Sequence, residues 1–563
     1  MKSIIVVDVL STGYNYIEDI VRRGYAPVSL ESKVLRHSIE CGIDSPINPD
    51  KLYHQPVLLK EQDSYEKTLE EVKKYDPVLV VPGTESGVVL ATKLAADLGL
   101  PGNPVEYIKA MTEKPAMHEA LKNAGLRYLH GRTVSTPEEA IDFCKENGFV
   151  CAVVKPVRGA ASQGLFLCDD LEEVKNAVAQ LMEMTNDFGD KISEVLVQER
   201  IIGTEYVVNI LSRNGFHKLT TFLKYNKVKT NEGGYIYDNT KYIDHLEPGH
   251  SELIEYAFKV ADAIHYQNGM IHGEFMIDEK GPILIEVNCR PMGGSLPAAF
   301  ADKISGQHET DSILDALLYP DKFMKELKKP YRLLRNGCSK SIIISQDMEV
   351  EDSPVFEVAK HLRSTYLIDV TPVTKPVMMT KTRDLEGTGG EIYLINDDKA
   401  ILEEDLKILS NIEKSFFQFI FNDGMSRRLV PKKTDKEKSP EEVIKEVGCC
   451  GAVLVAADEE LEIEGAQCIT KDSITDAHKG FDFVIVNYKE SLLGLKEREC
   501  LKLMFDTFDL ARQGGRVIVP KSSYDYLSYG RRGVEQLMTV KGLTVELIPG
   551  YESEMVIGTN DRN

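Results

Sequence analysis

Three oxygen-bearing side chains on two short segments could together hold a hard metal cation. Glu274 lies in the run Ile-His-Gly-Glu-Phe, and Glu286 and Asn288 lie in the run Leu-Ile-Glu-Val-Asn-Cys-Arg. The two runs alternate polar and apolar residues and flank the turn sequence Asp-Glu-Lys-Gly at 278–281. This pattern predicts the two strands of an antiparallel hairpin.

The register of this hairpin decides which side chains meet. A hairpin folded about residue 280 places Glu274 opposite Glu286. Because side chains two residues apart share a strand face, Glu286, Asn288 and Arg290 are expected to point the same way. The residues expected in the core are Ile285, Val287 and Cys289.

Two carboxylates that face each other across a hairpin repel unless a cation lies between them. Oxygens from two glutamates and an asparagine suit magnesium that bridges nucleotide phosphates. A solvated acidic face is the alternative for two isolated glutamates. Their shared register with Asn288 and Arg290 favours the metal site.

Two lysines and a loop of small residues could bind the phosphates of a nucleotide. Lys155 ends an apolar strand-like run, and Lys114 precedes Pro115, which is typical of the first turn of a helix. The loop Arg158–Gly164 follows Lys155. Most of its side chains are small, which lets backbone amides approach phosphate oxygens. A small-residue hairpin without a ligand is the alternative for this loop alone. Its position directly after Lys155 favours phosphate binding.

Charge and composition exclude several classes of partner. The 563 residues include 67 basic and 89 acidic side chains, a formal net charge of −22 that argues against nucleic acid or an anionic membrane as the main partner. No apolar stretch reaches the roughly 20 residues needed to span a bilayer. Asp8 interrupts the first apolar run, so the N-terminus is interpreted as a strand and the protein as cytoplasmic. The ten cysteines lack paired zinc-type spacings.

The organisation of the chain predicts an α/β protein with several domains, because it is too long for one hydrophobic core. An apolar run at 3–9, a helical stretch and a second strand at 26–30 indicate a βαβ unit. Charged residues and prolines at 430–442 leave little to bury and indicate a linker. Five strand-like runs after it indicate a separate α/β domain.

The order of these motifs resembles the ATP-grasp superfamily of carboxylate ligases over roughly residues 1–425. Within it, the stretches Val-Val-Pro-Gly-Thr-Glu-Ser-Gly-Val at 80–88 and Tyr225-Asn-Lys227 followed by Tyr235-Ile-Tyr-Asp238 are similar to the carboxylate–amine ligases that include L-amino acid ligases. The domains that the resemblance implies are a Rossmann-like pre-ATP-grasp α/β domain (1–112), an ATP-grasp small lobe with the phosphate loop (113–200), an ATP-grasp large lobe with the metal site and a closing subdomain (201–428), a linker (429–442) and a C-terminal Rossmann-like or methyltransferase-like α/β domain without catalysis (443–563).

The resemblance implies ATP and magnesium as ligands, with two ions and with manganese as a substitute. It also implies the residues that bind ATP. The phosphates would be bound by Lys114 and Lys155 and by the phosphate loop with Arg158, Gly159, Ser162 and Gly164. The adenine would be bound by Gln198, Glu199 and Ile201, and the ribose by Glu205. The implied metal ligands are Glu274, Glu286 and Asn288.

The resemblance also implies the catalytic residues. Arg290 would face the substrate carboxylate and then the acyl phosphate, and the amides of Gly293 and Gly294 would meet a developing oxyanion. His272 and Lys227 would lie near the γ-phosphate. D-alanine ligase relatives have an arginine where His272 stands. The chain therefore departs from the family pattern at this residue. The residues expected to line the substrate pocket, with ordinary surface or packing roles as the alternative, are Glu85, Tyr235, Tyr237 and Asp238.

The C-terminal domain faintly resembles a class I methyltransferase. Cys450 and Ala452 stand where the nucleotide loop of that family has glycines, and little chain separates Gly451 from the strand at 467–470. Packing, oligomer contact or partner docking is therefore the favoured role, with methyl transfer as the alternative.

The expected function is an ATP-dependent ligase that forms an acyl phosphate and couples it to an amine, giving an amide or a dipeptide with ADP and phosphate. One alternative passes the acyl group to a carrier-protein thiol or another acceptor. Another is an ATP-binding scaffold without catalysis. The expected partners are small-molecule carboxylates and amines, with a homodimer and a carrier protein as further partners and neither nucleic acid nor membrane.

Overall fold

The computed structural model shows a mixed α/β protein with two compact units. The structure describes residues 1–52, 54–157, 164–185, 191–229, 235–243, 247–344, 348–350, 358–369, 377–379, 381–382, 388–413, 438–493, 497–524, 534–535, 537–538, 541–546 and 555–560. Among these, one unit comprises Met1–Cys338, and the other comprises Ser339–Thr382 and the described residues from 388 onward.

The N-terminal part of the first unit contains a parallel sheet in the order β3-β2-β1-β4. The strands are β1 (Ser3–Val7), β2 (Ala26–Glu31), β3 (Val57–Lys60) and β4 (Pro77–Pro82). The helices are α1 (Asn15–Arg22), α2 (Lys33–Glu40), α3 (Tyr65–Lys73), α4 (Val88–Asp97) and α5 (Ile108–Thr112). The predicted βαβ unit is confirmed, and its strands are buried because apolar clusters form on both faces of the sheet.

The loops that follow β1 and β4 approach each other closely at one edge of this sheet. A Cβ atom on Gly83 would lie 2.3 Å from the carbonyl oxygen of Asp8, and a Cβ atom on Gly13 would lie 2.8 Å from the carbonyl oxygen of Gly83. Glycine is therefore required at both positions. The approach brings the segment that begins at Gly83, including Glu85, to the carboxyl ends of the strands.

A second, antiparallel sheet in the order β5-β8-β6-β7 carries Lys155. Its elements are α6 (Lys114–Asn123), β5 (Gly131–Val134), α7 (Pro137–Asn147), β6 (Ala152–Pro156), β7 (Phe166–Cys168), α8 (Leu171–Met182) and β8 (Val195–Glu199). The ends of α7 follow from local chemistry. Thr136 caps the first turn by accepting from the Glu139 amide, and Gly148 ends the helix in the left-handed conformation.

A third, antiparallel sheet carries the predicted metal ligands. Its strands in the order β13-β12-β9-β10-β11 are hydrogen-bonded neighbours. The elements are β9 (Thr204–Arg213), β10 (Phe216–Lys229), β11 (Tyr235–Tyr242), α9 (His250–Ala263), β12 (Gly269–Asp278), β13 (Gly281–Asn288), α10 (Ala298–Ser305), α11 (Glu309–Leu318), α12 (Pro320–Glu326) and β14 (Asn336–Ser341). One face packs on α9 in a cluster that also includes Met117 and Leu121 of α6.

The hairpin of β12 and β13 differs from the expectation at one residue. The register shifts between Glu274 and Phe275, which pair with Glu286 and Leu284 respectively. Ile285 is therefore the extra residue of a β-bulge and is partly exposed, so its predicted place in the core is wrong. Leu284, Val287 and Cys289 are buried in the cluster instead.

The second unit contains two small strand pairs and a larger sheet. Strand β15 (Met348–Val350) pairs with β17 (Val377–Met379), and β16 (Thr365–Asp369) pairs with β18 (Glu391–Asn396). The helices of the unit are α13 (Lys399–Ile412), α14 (Pro440–Val447), α15 (Glu490–Leu493), α16 (Glu497–Phe508) and α17 (Lys521–Tyr524).

The larger sheet has the order β20-β19-β21-β22-β24-β23, parallel from β20 to β22 and antiparallel in the last pairings. The strands are β19 (Val453–Ala457), β20 (Ala466–Thr470), β21 (Phe481–Asn487), β22 (Ala511–Pro520), β23 (Leu543–Glu546) and β24 (Met555–Asn560). All five strand-like runs predicted after the linker are strands of this sheet. Within the described ranges, no helix has the length and apolar character that a bilayer crossing requires.

A buried polar cluster joins α1 to the start of α11 in the first unit. His308 Nε2 lies 2.9 Å from Asp19 Oδ2, and His308 Nδ1 lies 2.8 Å from Asp302 Oδ1. The Thr310 hydroxyl donates to Asp19 at 2.7 Å. Burial alone would lower the pKa of His308, but the two carboxylates outweigh burial and raise that pKa to about 10.

We expect His308→Gln to remove a pH-dependent contribution to stability. A histidine whose pKa is raised on folding stabilises fully below pH about 6.5, and its contribution is lost as the pH rises toward 10. The variant should be less stable by roughly 3 kcal/mol at pH 6, since Asp19 loses its charged partner in the interior. Urea unfolding of both proteins at pH 6 and pH 10 measures this difference, which should shrink at the higher pH. His54→Gln, at an exposed position, is the control. A difference that is the same at both pH values would contradict the assignment.

Candidate active site

The two candidate metal carboxylates are paired across the hairpin. Glu274 of β12 is the register partner of Glu286 of β13, and His272 is the partner of Asn288. The pairing predicted from the turn sequence is therefore confirmed. Both glutamate side chains are largely withdrawn from solvent, with 18% and 16% of their surface exposed. Two carboxylates in such a position require positive charge nearby.

Lys114 supplies part of that charge. Its ammonium nitrogen lies 3.0 Å from Glu286 Oε2, and the Asn288 amide nitrogen lies 3.4 Å from Glu286 Oε1. Burial would lower the pKa of Lys114, but Glu286 outweighs it and raises the pKa. Glu286 is thus held by a lysine from one side and an amide from the other.

The donor set of this site suits magnesium. Among the residues that the structure describes, no three His, Cys, Asp or Glu side chains form a metal-binding group. The candidate site has two carboxylates and the amide oxygen of Asn288. Magnesium prefers oxygen ligands and usually completes its shell with water and substrate phosphates, so an incomplete set of protein oxygens fits it.

Glu274 is kept ionised by the charges around it. His272 Nε2 lies 3.5 Å from Glu274 Oε1. Burial alone would raise the pKa of Glu274, but His272, Lys227 and Arg290 outweigh it and lower the pKa to about 2. The carboxylate is therefore available as a metal ligand at neutral pH.

Lys155 lies within the same field of charges, at the end of β6, and is 6% exposed. Its pKa is lowered to about 8, first by burial and then by repulsion from Lys114. The pKa of buried His118, one helical turn after Lys114, is lowered to about 3 by burial and by the two lysines. Two adjacent buried ammonium groups are the arrangement that an anionic ligand such as a polyphosphate would stabilise.

The predicted ribose and γ-phosphate residues contact each other. Lys227 Nζ lies 2.7 Å from Glu205 Oε1 and 4.4 Å from the ring centre of Tyr237. Burial raises the pKa of Glu205 more than Lys227 lowers it. Glu205 and Lys227 are thus close together on β9 and β10, and neither side chain is isolated from the charged cluster.

The adenine-binding prediction falls on strand β8 and the chain after it. Gln198 is 1% exposed, and its side-chain oxygen has no hydrogen-bond partner among the described residues. The Glu199 amide donates to the His130 carbonyl at 2.8 Å, so this amide is already used. Ile201 follows the strand and is partly exposed. The remaining backbone groups of this segment are the ones that could meet a base.

The predicted phosphate loop is described only at its end. Arg158, Gly159 and Ser162 lie outside the described residues. Gly164 has a φ of 66°, and a Cβ atom there would lie 2.7 Å from Leu181 Cδ2, so glycine is needed at this point of the loop. The role of the loop stays a prediction.

Arg290 is paired with a carboxylate from the N-terminal sheet. Its Nε lies 3.5 Å from Glu85 Oε2, and its Nη1 donates to the Pro291 carbonyl at 3.0 Å. Gly293 and Gly294 follow it, and neither has a described atom within 4 Å of the place where a Cβ would lie. The backbone at these glycines is therefore open to a ligand.

The other predicted substrate residues lie on β11. The backbone of Tyr235 is in this strand, Tyr237 packs edge to face on Tyr225, and Asp238 accepts a hydrogen bond from Asn239 at 2.6 Å. Tyr237 thus contacts the Lys227 region. Their substrate role stays a prediction.

Two residues of the site were not identified from the sequence. Asn209 Oδ1 lies 2.9 Å from His272 Nδ1, and the Asn209 amide nitrogen donates to Glu309. Glu309 Oε2 also accepts from the Met292 amide at 2.5 Å. The one signal for Asn209 is an amide within the apolar run Tyr-Val-Val-Asn-Ile-Leu. Glu309 has no local signal, since an acidic residue in the first turn of a helix is common.

Residues 149–298 match the ATP-grasp domain family. This range includes Lys155, Glu205, Glu274, Glu286 and Arg290. The chain therefore contains an ATP-grasp domain over this range, and proteins with this domain bind ATP and magnesium. Its class is that of the ADP-forming ligases that join a carboxylate to an amine.

Several known proteins are similar to the chain in sequence or in fold. The chain is 26% identical to dapdiamide A synthase of Enterobacter agglomerans over 62% of its own length and 83% of the relative's. The L-amino acid ligase of Bacillus licheniformis has the same fold, with a TM-score of 0.56 and 17% identity over 73% of this chain and 97% of that one. The biotin carboxylase domain of Hydrogenobacter thermophilus 2-oxoglutarate carboxylase, solved with MgADP and bicarbonate, has a TM-score of 0.50 and 15% identity over 76% and 96% of the two chains.

We expect ATP binding to take up protons when the pH exceeds about 8, because Lys155 is then partly neutral and a bound phosphate would favour its charged form. Calorimetric titration in buffers of different ionisation enthalpy measures this uptake. ATP binding by Lys155→Arg should take up fewer protons than binding by the wild type, since a guanidinium stays charged in proteins. Equal proton uptake by the wild type and this variant would contradict the prediction.

Proposed function

We propose that the protein activates the carboxylate of an amino acid as an acyl phosphate and couples it to an amine, releasing ADP and phosphate. The observation that carries the choice of an amino acid is the pairing of Arg290 with Glu85 next to the candidate metal hairpin. The two side chains offer one positive and one negative group to a small molecule. An amino acid, which has a carboxylate and an ammonium group, complements both charges.

In the first step, a carboxylate oxygen of the substrate attacks the γ-phosphorus of ATP, and the bond between that phosphorus and the bridging oxygen of ADP breaks. Arg290 would hold the carboxylate, and Lys114 and Lys155 would bind phosphate oxygens. When magnesium is bound, Glu274, Glu286 and Asn288 would hold it, and it would neutralise part of the phosphate charge.

In the second step, an amine nitrogen attacks the acyl carbonyl carbon, the bond from that carbon to the phosphate oxygen breaks, and the amine loses a proton. The oxyanion that forms on the carbonyl oxygen would be stabilised by Arg290 and by the open backbone at Gly293 and Gly294. Exclusion of water from the site would protect the acyl phosphate from hydrolysis.

The names of the relatives support the amino-acid part of this proposal, since dapdiamide A synthase and an L-amino acid ligase are among the proteins with similar sequence or fold. Two magnesium ions are proposed, with manganese as a functional substitute, because the donor set is made of hard oxygens. The ATP-binding and metal-binding positions predicted from the sequence remain part of the proposal.

We propose a non-catalytic packing or docking role for the C-terminal domain. The strand order of its sheet reverses between β19 and β21, and open α/β sheets bind ligands at such a point. There the Asp458 carboxylate accepts hydrogen bonds from the amides of Lys489, at 3.0 Å, and Ser491, at 2.9 Å. A carboxylate already bound by the opposite loop supports packing rather than ligand binding at this edge.

We expect Glu286→Gln to lower the rate of ADP formation at least about a hundredfold, since loss of a metal-ligand charge removes several kcal/mol of transition-state stabilisation. The fold should persist, because the position lies outside the apolar core. Coupled ADP assays and circular dichroism measure both effects. Glu119→Gln, at an exposed position on α6, is the matched control and should retain activity. Normal turnover by Glu286→Gln would refute the metal assignment.

We expect hydroxylamine to trap the activated acid. A panel of amino acids incubated with ATP, magnesium and hydroxylamine should give a hydroxamate together with ADP, because an acyl phosphate reacts readily with this amine. Product mass and nucleotide analysis identify the acid that is accepted. Formation of AMP and pyrophosphate would contradict acyl-phosphate chemistry. If a panel of amines, tested in place of hydroxylamine, gave no amide product, the natural acceptor would be a different group.

A further inference from the structure

We propose that Asp8 is a positioning residue that fixes the loop with Glu85 and the loop with Ser11 at the amino-acid end of the active site. The proposal rests on the proposed function, because it concerns the amino-acid subsite of the same reaction. Asp8 directly follows β1 and is fully buried. A buried carboxylate does not reach a substrate, so Asp8 must act through its neighbours.

Asp8 lies where the strand order of the N-terminal sheet reverses. The chain passes from β1 to β2 and β3 on one side, and β4 lies on the other side of β1. Open α/β sheets bind ligands at such a point, outside the carboxyl ends of the strands. The loops after β1 and β4 are therefore the part of this sheet where contact with a substrate is expected.

The Asp8 carboxylate joins the ends of three neighbouring strands. Its Oδ1 accepts a hydrogen bond at 2.7 Å from the amide of Ser32, the residue after β2. Its Oδ2 accepts from the hydroxyls of Ser32 and Ser86, both at 2.7 Å. Ser86 lies in the loop after β4. One side chain at the end of β1 thus holds the segments that follow β2 and β4.

The direction of these hydrogen bonds is from the serines to the carboxylate. Burial raises the pKa of Asp8 to about 6, and the hydrogen bonds from Ser32 and Ser86 oppose this rise. Asp8 is therefore ionised at pH 7 and above, and an ionised carboxylate can only accept. The Ser32 hydroxyl itself accepts from the Leu35 amide at 3.0 Å, which leaves its proton for Asp8.

Both loops contact the segment that begins at Arg290. Glu85 Oε2 lies 3.5 Å from Arg290 Nε. The Ser11 hydroxyl accepts a hydrogen bond from the Ser295 amide at 3.0 Å. A displacement of either loop would therefore move Glu85 or the chain after Arg290 away from the places where the amino acid is proposed to bind.

Three residues of this region other than glycine have a left-handed backbone conformation. Their φ angles are 61° at Asp8, 50° at Ser11 and 51° at Ser295. Such conformations persist only where surrounding contacts hold them, and they cluster at functional sites. The hydrogen bonds of Asp8 and the contact between Ser11 and Ser295 are the contacts that hold them here.

Ser86→Ala tests the link between Asp8 and the loop after β4 and leaves the cap of α2 intact. We expect the KM for the amino acid that gives most hydroxamate to rise about tenfold, because a hydrogen bond to a charged group no longer fixes the loop with Glu85. The KM for ATP should stay within about twofold of the wild type. ADP formation at pH 8 with hydroxylamine as the amine measures both constants. Ser86→Thr restores the hydroxyl and should restore the KM for the amino acid.

Asp8→Asn tests the carboxylate, since asparagine also tolerates the left-handed conformation. The Ser32 amide can only donate, so the oxygen of the introduced asparagine should stay on it and the NH2 group should face the two hydroxyls. The charge that strengthens their bonds is lost, and the KM for the amino acid should again rise while that for ATP does not. The double variant with Ser86→Ala should show less than the product of the two single effects, because both changes act on one hydrogen bond.

Asp44→Asn is the matched control. The Asp44 carboxylate also accepts from a serine hydroxyl, that of Ser38 at 2.8 Å, but Asp44 lies beyond the other end of α2. Both KM values of this variant should stay within about twofold of the wild type, as expected for a change far from the substrate.

Hydrogen–deuterium exchange of the ligand-free protein gives a second readout that needs no turnover. The amides of residues 83–88 should exchange faster in Ser86→Ala and Asp8→Asn than in the wild type and in Asp44→Asn. Unchanged exchange, an equal rise in both KM values, or faster exchange with an unchanged KM for the amino acid would overturn the positioning role and leave the ligase reaction intact. Absence of ADP and hydroxamate formation by the wild type would instead refute the reaction and leave the exchange result standing.

Discussion

The repulsion between Glu274 and Glu286 is the constraint on which the rest of the active site depends. The two carboxylates face each other on a hairpin with most of their surface withdrawn from water. Such a pair is stable only where positive charge compensates it. The surrounding elements meet this requirement with Lys114, Lys227 and Arg290, each supplied by a different segment of the chain.

The two lysines of the site also repel each other. Burial, and after it repulsion from Lys114, lowers the pKa of Lys155 to about 8, even with the carboxylates of Glu205, Glu274 and Glu286 nearby. A bound metal ion would offset the repulsion between the carboxylates, and a bound phosphate would offset the repulsion between the lysines. The charge pattern therefore fits a metal-bound polyphosphate, which agrees with the ATP-grasp domain found over residues 149–298.

Helix α11 connects this electrostatic arrangement to the rest of the first unit. Its first residues bind α1 through Asp19, and Glu309 contacts both the loop after Arg290 and the side chain of Asn209. Buried polar networks of this kind are rigid when every member is satisfied. The geometry of the loop after Arg290 is thus determined by packing between the N-terminal sheet and the sheet that carries the predicted metal ligands.

The sequence by itself determined the α/β class, the hairpin and the pairing of Glu274 with Glu286, because alternation and turn chemistry are local. It placed Ile285 in the core wrongly, since a β-bulge depends on the neighbouring strand. Only the tertiary structure decided that Lys114 binds Glu286 and that Glu309 reaches Asn209, 100 residues away in the chain. Contacts between distant segments leave no local pattern, because they arise from how sheets and helices pack rather than from the spacing of residues.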